Sequence, residues 1–172
     1  DVTVHFIGAD NHGRLTRKPQ AKEGGLNNLN YLVGVLAKAY LDKIKNVEFN
    51  IYPMYEKVVT VGNRNYLITH GHGMKAWMGI PYYSADRKTG REAQARMQLI
   101  MDQKLMMHEV GFHKMILGHF HTPISAPMYS FCGSVQGTDA FDHEAGRYAP
   151  PSQAAWLVHP RYKETAREDF EL

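Results

Sequence analysis

The sequence predicts an α/β or α+β fold in which helices cover a mixed sheet. Two observations carry that expectation. Segments with apolar residues at helical spacing alternate with short runs rich in β-branched and aromatic residues, so neither period dominates. Several of the short runs also end in glycine-containing polar clusters, as in sheets that carry a site along one edge.

The elements follow in order. Val2–Gly8 is apolar and β-branched, a strand closed by glycine. Ala9–Gly25 is polar and broken by glycine and proline. Leu26, Leu29, Val33, Leu36, Tyr40 and Ile44 then recur at helical spacing, which makes 24–45 an amphipathic helix. Val47–Tyr52 and Lys57–Val61 read as strands. Gly62-Asn63-Arg64-Asn65 supplies turn chemistry before Tyr66–Thr69, and this makes a hairpin. Residues 71–90 read as a long functional loop. Ala93, Met97, Ile100, Met101, Leu105 and Met106 mark a helix over 90–109, its methionines serving as flexible core filling. Met115–Leu117, Pro127–Cys132 and Gln153–Val158 are strands, and Gly133–Ser152 is an irregular loop. Residues 159–172 form a charged, frayed tail. The whole, 1–172, reads as one domain.

Composition narrows the class. With 44% apolar and 22% charged residues the chain is an ordinary globular one, which excludes wholesale disorder. No run approaches the roughly 18 apolar residues of a membrane span, and no signal peptide is visible. The single cysteine, Cys132, excludes an internal disulfide and fits a reducing, cytoplasmic location. A net charge of +3 does not by itself argue for nucleic acid. Ten histidines are many for 172 residues, and they direct attention to metal or acid–base chemistry.

The histidines cluster after strands: Asn11-His12-Gly13-Arg14, His70-Gly71-His72 and Gly118-His119-Phe120-His121, with Gly133-Ser134 ending a fourth run. In an extended chain residues i and i+2 share a side, so His119 and His121 project together and Phe120 turns to the apolar layer. Two imidazoles so placed suit Zn, Mn, Fe or Ni. His5, His108, His113, His143 and His159 stand alone and are read as ordinary surface or core histidines.

These three clusters, in this order, resemble the last three signature blocks of the calcineurin-like metallophosphoesterase family: Gly-Asn-His-Asp/Glu, a strand ending in His, and Gly-His-x-His. The run CGSVQGTDAF followed by PPSQ is similar to phage-type members. The resemblance spans Val2 to Val158. It implies Asn11, His70 and His119 as ligands of one divalent metal and His121 as a ligand of a second. It implies His12 as the group that meets the substrate phosphate and assists the leaving oxygen. Two close metals would clamp a phosphate ester and activate water. Arg14, Arg17, Lys18 and His72 are candidates for substrate contact, arginine gripping phosphate bidentately.

Two departures accompany the likeness. Gly13 stands where the family's block ends in an acid, which implies an altered outer shell of the site. The family's first blocks, Asp-x-His and Gly-Asp-x-x-Asp, belong upstream of Asn11, and Val2–Gly8 contains neither; Asp10 is not taken as a substitute for the bridging aspartate. The chain is therefore expected to represent the C-terminal portion of a four-layer α-β-β-α sandwich with its N-terminal half missing, and to self-associate or require that half. The leading function is metal-dependent hydrolysis of a phosphomonoester or phosphodiester, nucleic acid included. Trp77, Tyr82 and Tyr83 serve as packing or lid residues in one reading and as stacking surfaces in another. The alternatives are a non-catalytic metal-binding or assembly module, and a one-metal hydrolase using Asn11, His70, His119 and His121 with His12 or His72 as base.

Overall fold

Helices and mixed sheets are both present, an α+β chain that divides into two units, residues 1–57 and 58–172. The computed structural model describes residues 1–18, 25–77, 81–102, 104 and 111–172.

In the first unit β1 (Val2–Ile7) pairs in parallel with β2 (Val47–Tyr52), Val2 opposite Val47 and Ile7 opposite Tyr52. Parallel neighbours need a crossover, here a 3-10 turn at Gly25–Asn27 and α1 (Leu29–Leu41). Asn28 caps α1, its side chain accepting from Asn30 N at 3.0 Å and donating to Asp10 O at 2.7 Å. Gly34 lets the helix backbone close on the strands: a Cβ there would sit 2.7 Å from Phe6 Cδ1 and 3.3 Å from Ile51 Cγ2. Lys38 Nζ on the same side donates to Phe49 O at 3.0 Å.

That close approach corrects the expected helix. It is shorter than 24–45, of which residue 24 lies outside the described residues, and the close packing runs through Gly34 rather than through the large apolar residues. Leu29, Val33, Leu36 and Tyr40 are each more than half exposed. An apolar stripe ordinarily faces a core; this one faces solvent.

In the second unit five strands run β3-β4-β5-β7-β6: β3 (Glu56–Val61), β4 (Arg64–Thr69), β5 (Lys114–Leu117), β6 (Ile124–Ser125) and β7 (Tyr129–Phe131). The expected hairpin is β3–β4, with a tighter turn at Gly62-Asn63. Its core joins Leu67, Met115, Leu117, Phe120, Tyr129 and Phe131 with Ala85 from α2 (Tyr82–Met101).

Helix α2 begins within the stretch read as a loop over 71–90. Its buried residues are Ala85 and Thr89, near its start, whereas Met97 and Met101 are exposed and do not fill the core. Leu105, Met106 and His108 lie outside the described residues. The loop 133–152 contains a short helix, α3 (Ala140–Glu144), capped by Asp139. Nor is the charged tail frayed: β8 (Ser152–His159) and β9 (Lys163–Glu171) form an antiparallel pair. The tail's charges have partners. Glu164 pairs with the buried Lys114 at 2.8 Å, and Arg167 donates to Ser130 Oγ at 2.9 Å while lying over the Trp156 ring. Among the described residues no helix is long and apolar enough to cross a membrane.

Candidate metal centre

The register of the second sheet builds the site. Strands β4 and β5 run parallel with Thr69 opposite Leu117, and β5 and β7 run parallel with Leu117 opposite Phe131. All three therefore end at one edge, and the residues that follow are His70, Gly118-His119 and Cys132-Gly133. The carboxyl ends of parallel strands are where such sheets bind ligands. Cys132 N donates to Leu117 O at 2.8 Å and extends the pairing past the strands.

At this edge His70 Nε2 and His119 Nδ1 stand 3.1 Å apart, with ring centroids at 4.9 Å and planes at 73°. The His72 ring is 5.8 Å from that of His70, and Gly71 between them takes φ +99°, a conformation that suits glycine. Two imidazole nitrogens on one ion, each about 2.1 Å from it, lie about 3.0 Å apart at right angles and about 3.4 Å apart in a tetrahedron. The His70–His119 separation lies in that range, and without an ion the same 3.1 Å is a hydrogen bond between the two rings.

His119 and His121 do not alternate along an extended strand. Both adopt left-handed backbone, φ 71° and 59°, the only non-glycine residues among those described to do so. The chain coils instead of extending, and the two imidazoles meet different partners. Phe120 does turn into the core, edge-on to Phe131 at 5.4 Å. His121 Nδ1 lies 2.5 Å from Asp142 Oδ2, and Arg147 Nη2 lies 3.1 Å from Asp142 Oδ1. His121, Asp139 and Asp142 offer ligand atoms within 4.8 Å of one another, a group that could hold a metal ion. Sequence reasoning missed both aspartates and Arg147 by reading the loop as irregular. The available signal was Asp139-x-x-Asp142, an N-cap followed by an acid three residues on.

The first unit carries the other candidates on the loop after β1. Asp10 Oδ1 accepts from His12 N at 2.9 Å and Gly13 N at 2.8 Å, so Asp10 builds the turn that presents His12. Asn11 Oδ1 is buried and has no hydrogen bond among the described residues, as suits an oxygen meant for a cation or donor. Arg14 donates to Asn11 O, and Arg17 and Lys18 are exposed. Gly13 has a packing cause: a Cβ there would lie 2.1 Å from Asn28 Oδ1 and 2.5 Å from Asn30 N, so no acid fits at that position.

Three of the solitary histidines do structural work. His5 Nδ1 is 2.8 Å from Tyr52 OH, His113 Nδ1 accepts from Asn65 N, and His159 Nδ1 accepts from Arg161 N. Trp77 and Tyr83 are not packed, being 81% and 77% exposed. Burial pushes the Cys132 thiol up, away from nucleophilic use. Compared with protein-family models and with curated proteins, the chain matches none of them.

Proposed function

We propose that this chain is a metal-dependent phosphoesterase module that hydrolyses a phosphomonoester or phosphodiester. The observation that carries the reading is the 3.1 Å approach of His70 Nε2 and His119 Nδ1 at the ends of adjacent parallel strands. The ligands the resemblance assigns are Asn11, His70, His119 and His121, for one or two ions of Mn, Zn, Fe or Ni. A divalent ion supplies positive charge to the phosphate and to the attacking water. The chain's own residues bind and orient. His72 stands beside His70 to meet a phosphate oxygen, and His12, held by the Asp10 turn, protonates the leaving oxygen. Arg14, Arg17 and Lys18 add charge for substrate.

Nucleic acid is the substrate class the surface favours. A hollow of about 410 Å³ following His72 is lined by Lys75, Arg87, Lys88 and Arg91 against the single carboxylate of Glu92. It shares Lys75 and Ser84 with a second hollow edged by the exposed rings of Trp77 and Tyr83, and cations beside stacking surfaces suit an unpaired strand. The two units correspond in this reading to the C-terminal half of a four-layer sandwich. The exposed stripe of α1 is the surface that an N-terminal half or a second copy would cover.

The test is metal content after loading with manganese or zinc, together with hydrolysis of bis(p-nitrophenyl) phosphate. The wild type binds metal and turns over; His119→Ala loses metal, and His12→Ala loses about 10²–10⁴-fold in rate with metal retained. Metal without turnover would favour the second reading, a non-catalytic metal-binding or assembly module, which the separate group of His121, Asp139 and Asp142 would also serve. Absence of metal binding would sink the proposal.

A further inference from the structure

We infer that Asp142 is a positioning residue that fixes His121 in the tautomer bearing hydrogen on Nδ1, leaving Nε2 as the nitrogen that takes a ligand. Asp142 is 2% exposed; its Oδ2 is hydrogen-bonded to His121 Nδ1 at 2.5 Å, while Oδ1 makes no hydrogen bond among the described residues and faces the Arg147 charge, Nη2 lying 3.1 Å away. A guanidinium only donates, and the carboxylate paired with it only accepts, so the hydrogen between Asp142 and His121 sits on the imidazole. The backbone holds the arrangement from both sides. Asp142 N donates to Asp139 Oδ1 at 2.9 Å in the first turn of α3, and Arg147 N donates to Asp142 O at 2.9 Å.

Asp142 also lies within ligand reach of Asp139 and His121, which raises the competing role of direct ligand. Two contacts argue against that role: an ion at Oδ2 would have to displace His121 Nδ1, and an ion at Oδ1 would stand against the positive charge of Arg147, 3.1 Å away. A carboxylate behind a ligating histidine orients the ring and raises its basicity. The left-handed backbone of His121 agrees, since such a conformation persists where surroundings over-determine it.

Asp142→Asn separates the two roles. Arg147 needs an acceptor, so the amide oxygen stays on its side and the amide NH2 faces His121 Nδ1. The imidazole must then accept at Nδ1 and carry its hydrogen on Nε2, the tautomer unsuited to a ligand; the same exchange disables a serine-protease histidine.

The inference rests on the reading of His121 as a ligand, and its test begins without metal. Long-range 1H–15N spectra of the 15N-histidine-labelled, metal-free chain, at a pH where imidazole is neutral, report each tautomer. The signal lost in His121→Gln is expected to be Nδ1–H in the wild type and Nε2–H in Asp142→Asn. Zinc affinity falls about 10–100-fold in that variant. Should Asp142→Asn fold poorly, Asp142→Ala with Arg147→Ala removes both partners, and His121 should again show Nε2–H. A wild-type His121 carrying Nε2–H would overturn the inference. So would lost zinc affinity with an unchanged tautomer, which would make Asp142 a direct ligand. A wild type that binds no metal would defeat the phosphoesterase reading, and the spectra would still decide the role of Asp142.

Discussion

The two units support their histidines differently. In residues 58–172, His70 and His119 leave strands whose side chains are the centre of a core: Leu67, Met115, Leu117 and Phe131 are all within 2% of full burial. In residues 1–57, His12 stands on a loop after a two-stranded sheet, and the helix above it turns its leucines outward. Imidazole placement in the second unit is a consequence of sheet packing; in the first it depends on a few polar contacts around Asp10 and Asn28. The difference teaches where precision resides. In the proposed reading, the metal pair, which needs fixed distances, is the one on the packed sheet, and the proton donor is the one on a loop.

The largest expected effect tests the rigid side. Phe131→Ala should cost about 3–5 kcal/mol and scatter the His70–His119 pair, seen in urea unfolding and in loss of metal uptake. Gly34→Val addresses the other side. Overpacking against Phe6 and Ile51 should cost about 1–3 kcal/mol and disturb the amide spectrum of residues 1–57 while that of residues 58–172, His70 and His119 included, is kept. Equal disturbance of both units would break the comparison.

A pH experiment sharpens it. Burial, and then the Glu164 carboxylate, pushes Tyr66 up to about 12 from 10.0. The folded chain holds that proton longer than the unfolded one, so the contribution is complete below pH 10 and is lost as pH rises toward 12. Tyr66→Phe should flatten the stability decline between pH 10 and 12 in chemical denaturation. The smallest effect belongs to the exposed stripe: Leu36→Gln with Tyr40→Gln should change monomer stability by no more than about 0.5 kcal/mol. A larger loss, or a fall in mass by light scattering, would show that the stripe is covered in solution.

Much of this was legible in sequence. Residue types and spacing marked β1, β2, the β3–β4 hairpin and β5, and the inward turn of Phe120 followed from an apolar residue between two polar ones. Periodicity misled at α1 because it shows that an apolar stripe exists without showing which way the stripe faces, and Gly34 decided that by close approach. Helix α2 starts at Tyr82 without a side-chain cap, so no start signal preceded it. The tail read as solvated because its charges are dense, yet Arg167 and Glu164 find buried partners on other strands, which no local pattern reveals. Asp142 was hidden for the same reason: its partner His121 is 21 residues away.

The left-handed backbone at His119 and His121 carries a consequence for stability. A side chain with a Cβ costs roughly 1–2 kcal/mol there, and asparagine or glycine bears that conformation more easily. At His119 an asparagine would relieve that cost, whereas at His121 the same exchange would also take from the buried Asp142 its 2.5 Å partner. His119→Asn is expected to hold or raise the melting temperature while abolishing metal uptake.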